Sequence, residues 1–86
     1  MDESILEEAQ RLVLGDRMDG YGDPGENMAR VARLWSVVLG VDVSAEQVAL
    51  CMVLMKVSRQ CNGYKRDTLV DIAGYALTIG LMYETD

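Results

Sequence analysis

Residues 48–57 read VALCMVLMKV, a run of ten that is apolar on every side except at Lys56. The run lies within a predicted helix over 45–59, for which Ser44 and Gln47 are spaced as a capping box at the amino end. A helix that is apolar all round is normally central to its fold, with other helices packed around it. The run therefore predicts an all-α fold in which neighbouring helices cover this one.

Three further helices are predicted around this central one, because apolar residues recur at intervals of three and four and no segment alternates strictly in twos. They are helix one at 4–18, helix two from Pro24 to the residue before Gly40, and helix four from just after Asp67 to about Glu84. Glu7 and Arg11 are four residues apart, which is the spacing of an ion pair on the solvent-exposed face of helix one. Asp23 is expected to cap helix two, Gly40 to end it, and Asp67 to cap helix four.

Self-association is expected because the chain is short. With 86 residues, a single α-helical domain over 1–86 buries only about 60–65% of its unfolded surface. Helices three and four carry more apolar surface than one neighbour each can cover, and helix four has small residues that permit close backbone approach. These are Ala73, Gly74, Ala76 and Gly80. We therefore predict a homo-oligomer that assembles through helices three and four.

The composition excludes several classes of function. The chain has no His, which removes Ser-His-Asp and Cys-His nucleophile pairs and His-containing zinc sites. Fourteen Asp and Glu against eight Lys and Arg give a net charge of −6, which argues against binding a nucleic acid polymer. No stretch is apolar for long enough to span a membrane. Cys51 and Cys61 are too far apart on one helix for a disulfide, so we expect reduced thiols and a cytoplasmic protein.

Four charged residues are expected to face one another across helices three and four, because the connector is short and the helices should lie antiparallel. Lys56 and Arg59 share one face of helix three, while Asp67 and Asp71 share one face of helix four. In a structural interpretation they form an ion-pair cluster that fixes the register of the two helices. In a functional interpretation they line a polar pocket, where the cations bind phosphate or carboxylate and the aspartates can hold Mg²⁺.

The connector at 21–27 reads YGDPGEN and also has two interpretations. A Gly-Asp-Pro-Gly turn needs no role beyond reversing the chain and starting a helix. Yet Tyr21 lies between two glycines, with Asp23 and Asn27 beyond it, and a stacking ring with hydrogen-bonding groups of this kind can recognise a nucleobase. Tyr21, Asp23 and Asn27 are therefore candidate ligand-binding residues, together with the four charged residues.

Three motifs together resemble a group of small phage and prophage proteins. The motifs are the Tyr-Gly-Asp-Pro turn, the segment MKVSR at 55–59 and the segment DTLVDIAGYA at 67–76. That group is distantly similar to the all-α nucleotide pyrophosphohydrolases of the MazG and dUTPase-like superfamily. The resemblance implies a four-helix fold and a nucleotide substrate. In MazG-like enzymes, Glu-x-x-Glu on one helix and Glu-x-x-Asp on another hold Mg²⁺ against the phosphates.

The carboxylates of this chain depart from the superfamily's pattern. Asp71 matches the aspartate of the second motif, but Thr68 stands where its glutamate is expected and Asp67 lies one place earlier. Lys56 and Arg59 occupy the place of an acidic pair. The chain thus has about two of the four carboxylates, and the basic pair opposes a dication but can hold phosphates.

We therefore expect a protein that binds a phosphate-bearing, nucleotide-like small molecule without turnover, with no cofactor required. If it is phage-encoded, we expect it in the cytosol of the bacterial host. One alternative is a Mg²⁺-dependent nucleoside triphosphate pyrophosphohydrolase, with Asp67 and Asp71 as metal ligands and Glu8 or Glu26 as a further one. A second alternative is a protein–protein interaction module whose polar cluster is structural.

Overall fold

The computed structural model describes residues 2–16 and 22–84 of the chain. Four α-helices and one π-helical segment, but no strand, occur within these two ranges. They are α1 (Ile5–Arg11), the π-helical segment (Leu12–Asp16), α2 (Pro24–Leu39), α3 (Ala45–Gln60) and α4 (Arg66–Glu84). The predicted all-helical fold of four helices is confirmed.

The ends of α2 and α3 lie where the sequence places them. The Asp23 side chain accepts a hydrogen bond from the third residue of α2 at 2.9 Å, Pro24 occupies the first turn, and Gly40 ends the helix at φ 72°. At α3, the Ser44 hydroxyl accepts from the Gln47 backbone at 3.1 Å and the Gln47 amide accepts from the Ser44 backbone at 2.9 Å. Each bond satisfies a backbone group that the helix itself leaves unpaired.

The predicted ion pair between Glu7 and Arg11 is wrong. The Glu7 carboxylate accepts instead from the Ser4 backbone N–H at 2.8 Å, while the Ser4 hydroxyl accepts from the Glu7 N–H at 3.0 Å. This capping box holds Glu7 at the helix start, and Arg11 reaches back to Glu3, with Nε 2.9 Å from its carboxylate. A local bond to an unpaired backbone N–H thus replaces a solvated contact between side chains.

Two other boundaries differ from the sequence prediction. Helix one is α-helical only as far as Arg11 and continues as the π-helical segment, and the end predicted at residue 18 lies outside the described residues. Helix four begins at Arg66, so Asp67 lies in its first turn and is not its cap. A carboxylate in the first turn still favours the helix through the positive end of its dipole.

The central helix is α4, which packs against α1, α2 and α3. The buried apolar side chains are small: Ala9, Val13, Ala32, Val48, Ala49 and Val70. Contrary to the sequence expectation, α3 is covered on only one side, since Leu50, Leu54 and Val57 stay exposed. Within the part of the chain that the structure describes, no helix has both the length and the apolar character needed to cross a lipid bilayer.

Two glycines of α4 offer a matched test of this packing. A Cβ added to Gly74 would lie 3.3 Å from the Val13 side chain of the π-helical segment, whereas one at Gly80 would meet only the carboxylate of Glu84 at 3.9 Å. Gly80→Ala should stabilise the protein by up to about 1 kcal/mol through helix propensity. Gly74→Ala should be clearly less stable than Gly80→Ala, because Val13 is buried and cannot move aside freely.

Urea unfolding of the two variants measures this difference. Equal free energies of unfolding for Gly74→Ala and Gly80→Ala would contradict the close approach of the π-helical segment to α4.

The capping box of α1 predicts a pH effect. Hydrogen bonds from Ser4 hold the pKa of the Glu7 carboxyl below its usual value. Because the folded-state pKa is lowered, the contribution of Glu7 to stability is present above its usual pKa and is lost as the pH falls through the lowered value. Ser4→Ala should raise the pKa of Glu7, measured by an NMR titration of its carboxyl carbon. An unchanged midpoint would contradict the box.

Candidate ligand-binding site

A cavity of about 340 Å³ lies between α1, the π-helical segment, the amino end of α2 and the middle of α4. Its size falls in the range of small-molecule pockets, about 300–1,000 Å³. Its walls carry apolar and polar surface in comparable amounts. The lining residues are Ala9, Leu12, Val13, Gly22, Pro24, Asn27, Met28, Val70, Asp71, Gly74, Tyr75 and Thr78.

The polar groups of the cavity come from α2 and α4. Asn27 is placed by the start of α2, where its backbone N–H donates to the Asp23 carbonyl at 3.0 Å. Asp71, Tyr75 and Thr78 follow one another along one side of α4, at spacings of four and three. Residues that carry an amide, a carboxylate, a phenol and a hydroxyl thus line one cavity.

The hydroxyl of Thr78 already makes one hydrogen bond within the protein. It donates to the Gly74 carbonyl at 2.9 Å in the buried interior of α4. Its lone pairs leave it able to accept a bond from a ligand.

An ion pair connects the cavity to α3. The Lys56 ammonium lies 2.9 Å from the Asp71 carboxylate, and the two side chains are 15% and 23% exposed. The predicted approach of the basic face of helix three to the acidic face of helix four is therefore present at this pair. Since both side chains are largely removed from water, the pair offsets part of the cost of burying the two charges.

A smaller cavity of about 270 Å³ adjoins the first and is lined by Glu8, Leu12, Asp67, Val70 and Asp71. Glu8 forms an ion pair with Arg66, which also donates to the Glu3 carbonyl at 2.8 Å. The Glu8 carboxylate raises the pKa of the Arg66 guanidinium further above its usual value. Two of the three carboxylates here, Glu8 and Asp71, thus already have a cationic partner.

This donor set does not fit Mg²⁺. The ion would have to displace Lys56 from Asp71 and Arg66 from Glu8 to obtain oxygen ligands from both carboxylates. Among residues 2–16 and 22–84, no group of three carboxylates or thiols is arranged to hold a metal ion.

The structure brings together only part of the residue set predicted from the sequence. Asn27 and Asp71 line the larger cavity, Asp67 lines the smaller one, and Lys56 reaches the site through its ion pair. Asp23 instead caps α2, and Arg59 is exposed and lines neither cavity. Tyr21 lies outside the described residues.

The sequence prediction missed Tyr75 and Thr78. Both lie on the face of helix four that carries Asp71, four and seven residues further on. Extending the helical spacing from Asp71 would have found them. They went unnoticed because a tyrosine and a threonine in an apolar helix are more often part of its packing.

Comparison with known proteins places the chain in a family. Residues 4–83 match the family described as "Domain of unknown function (DUF6378)". The chain belongs to this family. It is 48% identical to the Gene 55 protein of Mycobacterium phage D29 over 85 residues, which are 98% of this chain and 56% of the relative.

A second relative is the Gene 55 protein of Mycobacterium phage L5, which is 48% identical over 75 residues, 85% of this chain and 48% of the relative. The DUF6378 chain thus spans about half the length of these curated relatives. The predicted resemblance to phage proteins is confirmed at this level, while the link to MazG-like enzymes stays a prediction. No solved structure matches the chain.

A double-mutant cycle tests the Lys56–Asp71 pair. Lys56→Met and Asp71→Asn should each destabilise the protein, and the two changes together should cost less than their sum, with a coupling of about 1–2 kcal/mol. The exposed pair of Glu3 and Arg11, with side chains 39% and 46% exposed, is the control and should couple by less than about 1 kcal/mol.

Free energies of unfolding in urea provide the measurement. Equal coupling at the two pairs would show that Lys56 and Asp71 do not compensate each other in a desolvated site.

Proposed function

We propose that the DUF6378 chain binds a nucleotide-like small molecule without turning it over. The observation that supports this most is the larger cavity, whose lining combines Asn27, Asp71 and Tyr75 with apolar residues. Such a cavity suits a flat, partly apolar molecule that carries hydrogen-bond donors and acceptors on its edge.

The chemistry of these groups favours a nucleobase as the inner part of the ligand. The amide of Asn27 both donates and accepts, so it can pair with two adjacent groups on the edge of a base. Asp71 accepts hydrogen bonds, which suits the amino or ring N–H groups of a base. Tyr75 offers an aromatic surface, and Leu12 and Met28 add apolar walls.

Phosphate is expected outside the cavity, toward α3. Asp71 lines both cavities, and Asp67 and Glu8 line the smaller one, so their carboxylates make this region unfavourable for an anion. Lys56 borders the site through Asp71, and Arg59 lies three residues further along the same helix and is exposed. A base in the cavity with its phosphate near Lys56 and Arg59 therefore matches the distribution of charge.

Binding is favoured over Mg²⁺-dependent hydrolysis by the ion pairs. Lys56 holds Asp71 and Arg66 holds Glu8, so hydrolysis would need both pairs to open before a dication could bind. A base needs hydrogen-bonding groups and not oxygen ligands released from both carboxylates, so its binding does not require the two ion pairs to open.

Calorimetry with a panel of nucleosides and of mono-, di- and cyclic nucleotides, without and with Mg²⁺, tests the proposal. At least one compound should bind without metal. Asn27→Ala should weaken the binding of that compound by about tenfold, which corresponds to the loss of one hydrogen bond. Asn62→Ala, in the exposed turn after α3, is the matched control and should bind as the unchanged protein does.

Two results would overturn the proposal. If no compound of the panel gave a heat of binding, nucleotide binding would be ruled out. The second result is that the protein releases pyrophosphate from a nucleoside triphosphate in the presence of Mg²⁺, and loses this activity in Asp71→Ala. That result would support the pyrophosphohydrolase alternative over binding without turnover.

A further inference from the structure

Large apolar side chains are exposed to solvent along the carboxyl half of α2 and just after its end. Leu34, Val37, Val38 and Val41 are 61%, 82%, 83% and 62% exposed. Their spacing of three, four and seven residues places the first three on one side of the helix, and Val41 follows just after its end. No charged residue occurs between Leu34 and Val41.

The outer side of α3 repeats this pattern. Leu50, Leu54 and Val57 are 46%, 66% and 44% exposed and follow one another at spacings of four and three. Neighbouring helices cover the opposite side of α3, where Val48 and Ala49 are fully buried. These three residues, with Leu34, Val37 and Val38 of α2 and Val41 just after it, are called the apolar face below.

The chain exposes more surface than an isolated protein of its size. Its accessible surface is 6065 Å², whereas a monomer of 9.5 kDa is expected to expose about 5,000 Å². Its radius of gyration is 13.6 Å, against about 12 Å for a compact domain of this length. The excess of about 1,000 Å² is close to the roughly 800 Å² that each partner buries in a standard interface.

We infer that the apolar face is covered by a second copy of this chain. The face is uncharged and rich in Leu and Val, as in permanent interfaces that resemble a core cut in half. A copy of the same chain is always available at equal concentration, and a two-fold interface brings each helix pair against its equivalent. The expected interface thus joins α2 and α3 of one chain to α2 and α3 of the other.

This arrangement is independent of the proposed ligand. The residues that line the larger cavity come from α1, the π-helical segment, Gly22, the first turns of α2 and the middle of α4, and none belongs to the apolar face. It also differs from the interface predicted from the sequence, because α4 is largely covered within its own chain.

Sedimentation equilibrium at micromolar concentration tests the inference. The unchanged protein should have at least twice the 9.5 kDa mass of the chain. Val37→Lys with Val38→Lys should raise the dissociation constant at least about 100-fold, since two charges would enter an apolar contact. Lysine near the carboxyl end of a helix is favourable, so the fold should be retained by far-UV circular dichroism.

Leu6→Lys is the control, because Leu6 is 72% exposed on α1 and lies outside the apolar face. It should leave the mass unchanged. If the paired lysines reduced the helix content, Leu54→Lys would test the same face from α3. A monomer of 9.5 kDa for the unchanged protein, or an oligomer that persists in the lysine variants, would overturn the inference.

Discussion

The ion pair between Lys56 and Asp71 joins the fold to the candidate site. It crosses from α3 to α4, the two helices with the largest share of apolar residues, and it is largely removed from water. A sliding of one helix past the other would separate these two charges where little water can reach them, so the pair favours a single register. The same register places the Asp71 carboxylate on the wall of the larger cavity.

The pairing of charges also limits the chemistry of the cavity. Asp71 and Glu8 each have a cationic partner, so the site carries less free negative charge than its sequence implies. A site with paired carboxylates is better suited to binding the hydrogen-bonding groups of an uncharged base than to binding a divalent cation. The DUF6378 chain thus lacks a set of unpaired carboxylates at this site, within the residues that the structure describes.

The interior of the chain depends on small residues. Alanine and valine fill the contacts among α1, α3 and α4, and Gly74 lets the π-helical segment approach α4 closely. Large apolar residues that would otherwise fill a core lie instead on the outer sides of α2 and α3. A small chain with this distribution gains buried area most directly by association, whereas the cavity is built within one chain.

The sequence by itself determined the helices and most of their ends, because caps such as Ser44 and Gly40 act through bonds to the nearest turn of backbone. It also indicated that Lys56 and Asp71 meet, since helical spacing and a short connector suffice for that. Only the tertiary structure decided that Arg59 and Asp23 stay outside the cavity, that Tyr75 and Thr78 line it, and that α4 rather than α3 is central. These outcomes depend on how the helices cross and on which side of each helix is covered. Both are set by packing between residues far apart in the sequence, and the local pattern of a single helix does not contain that information.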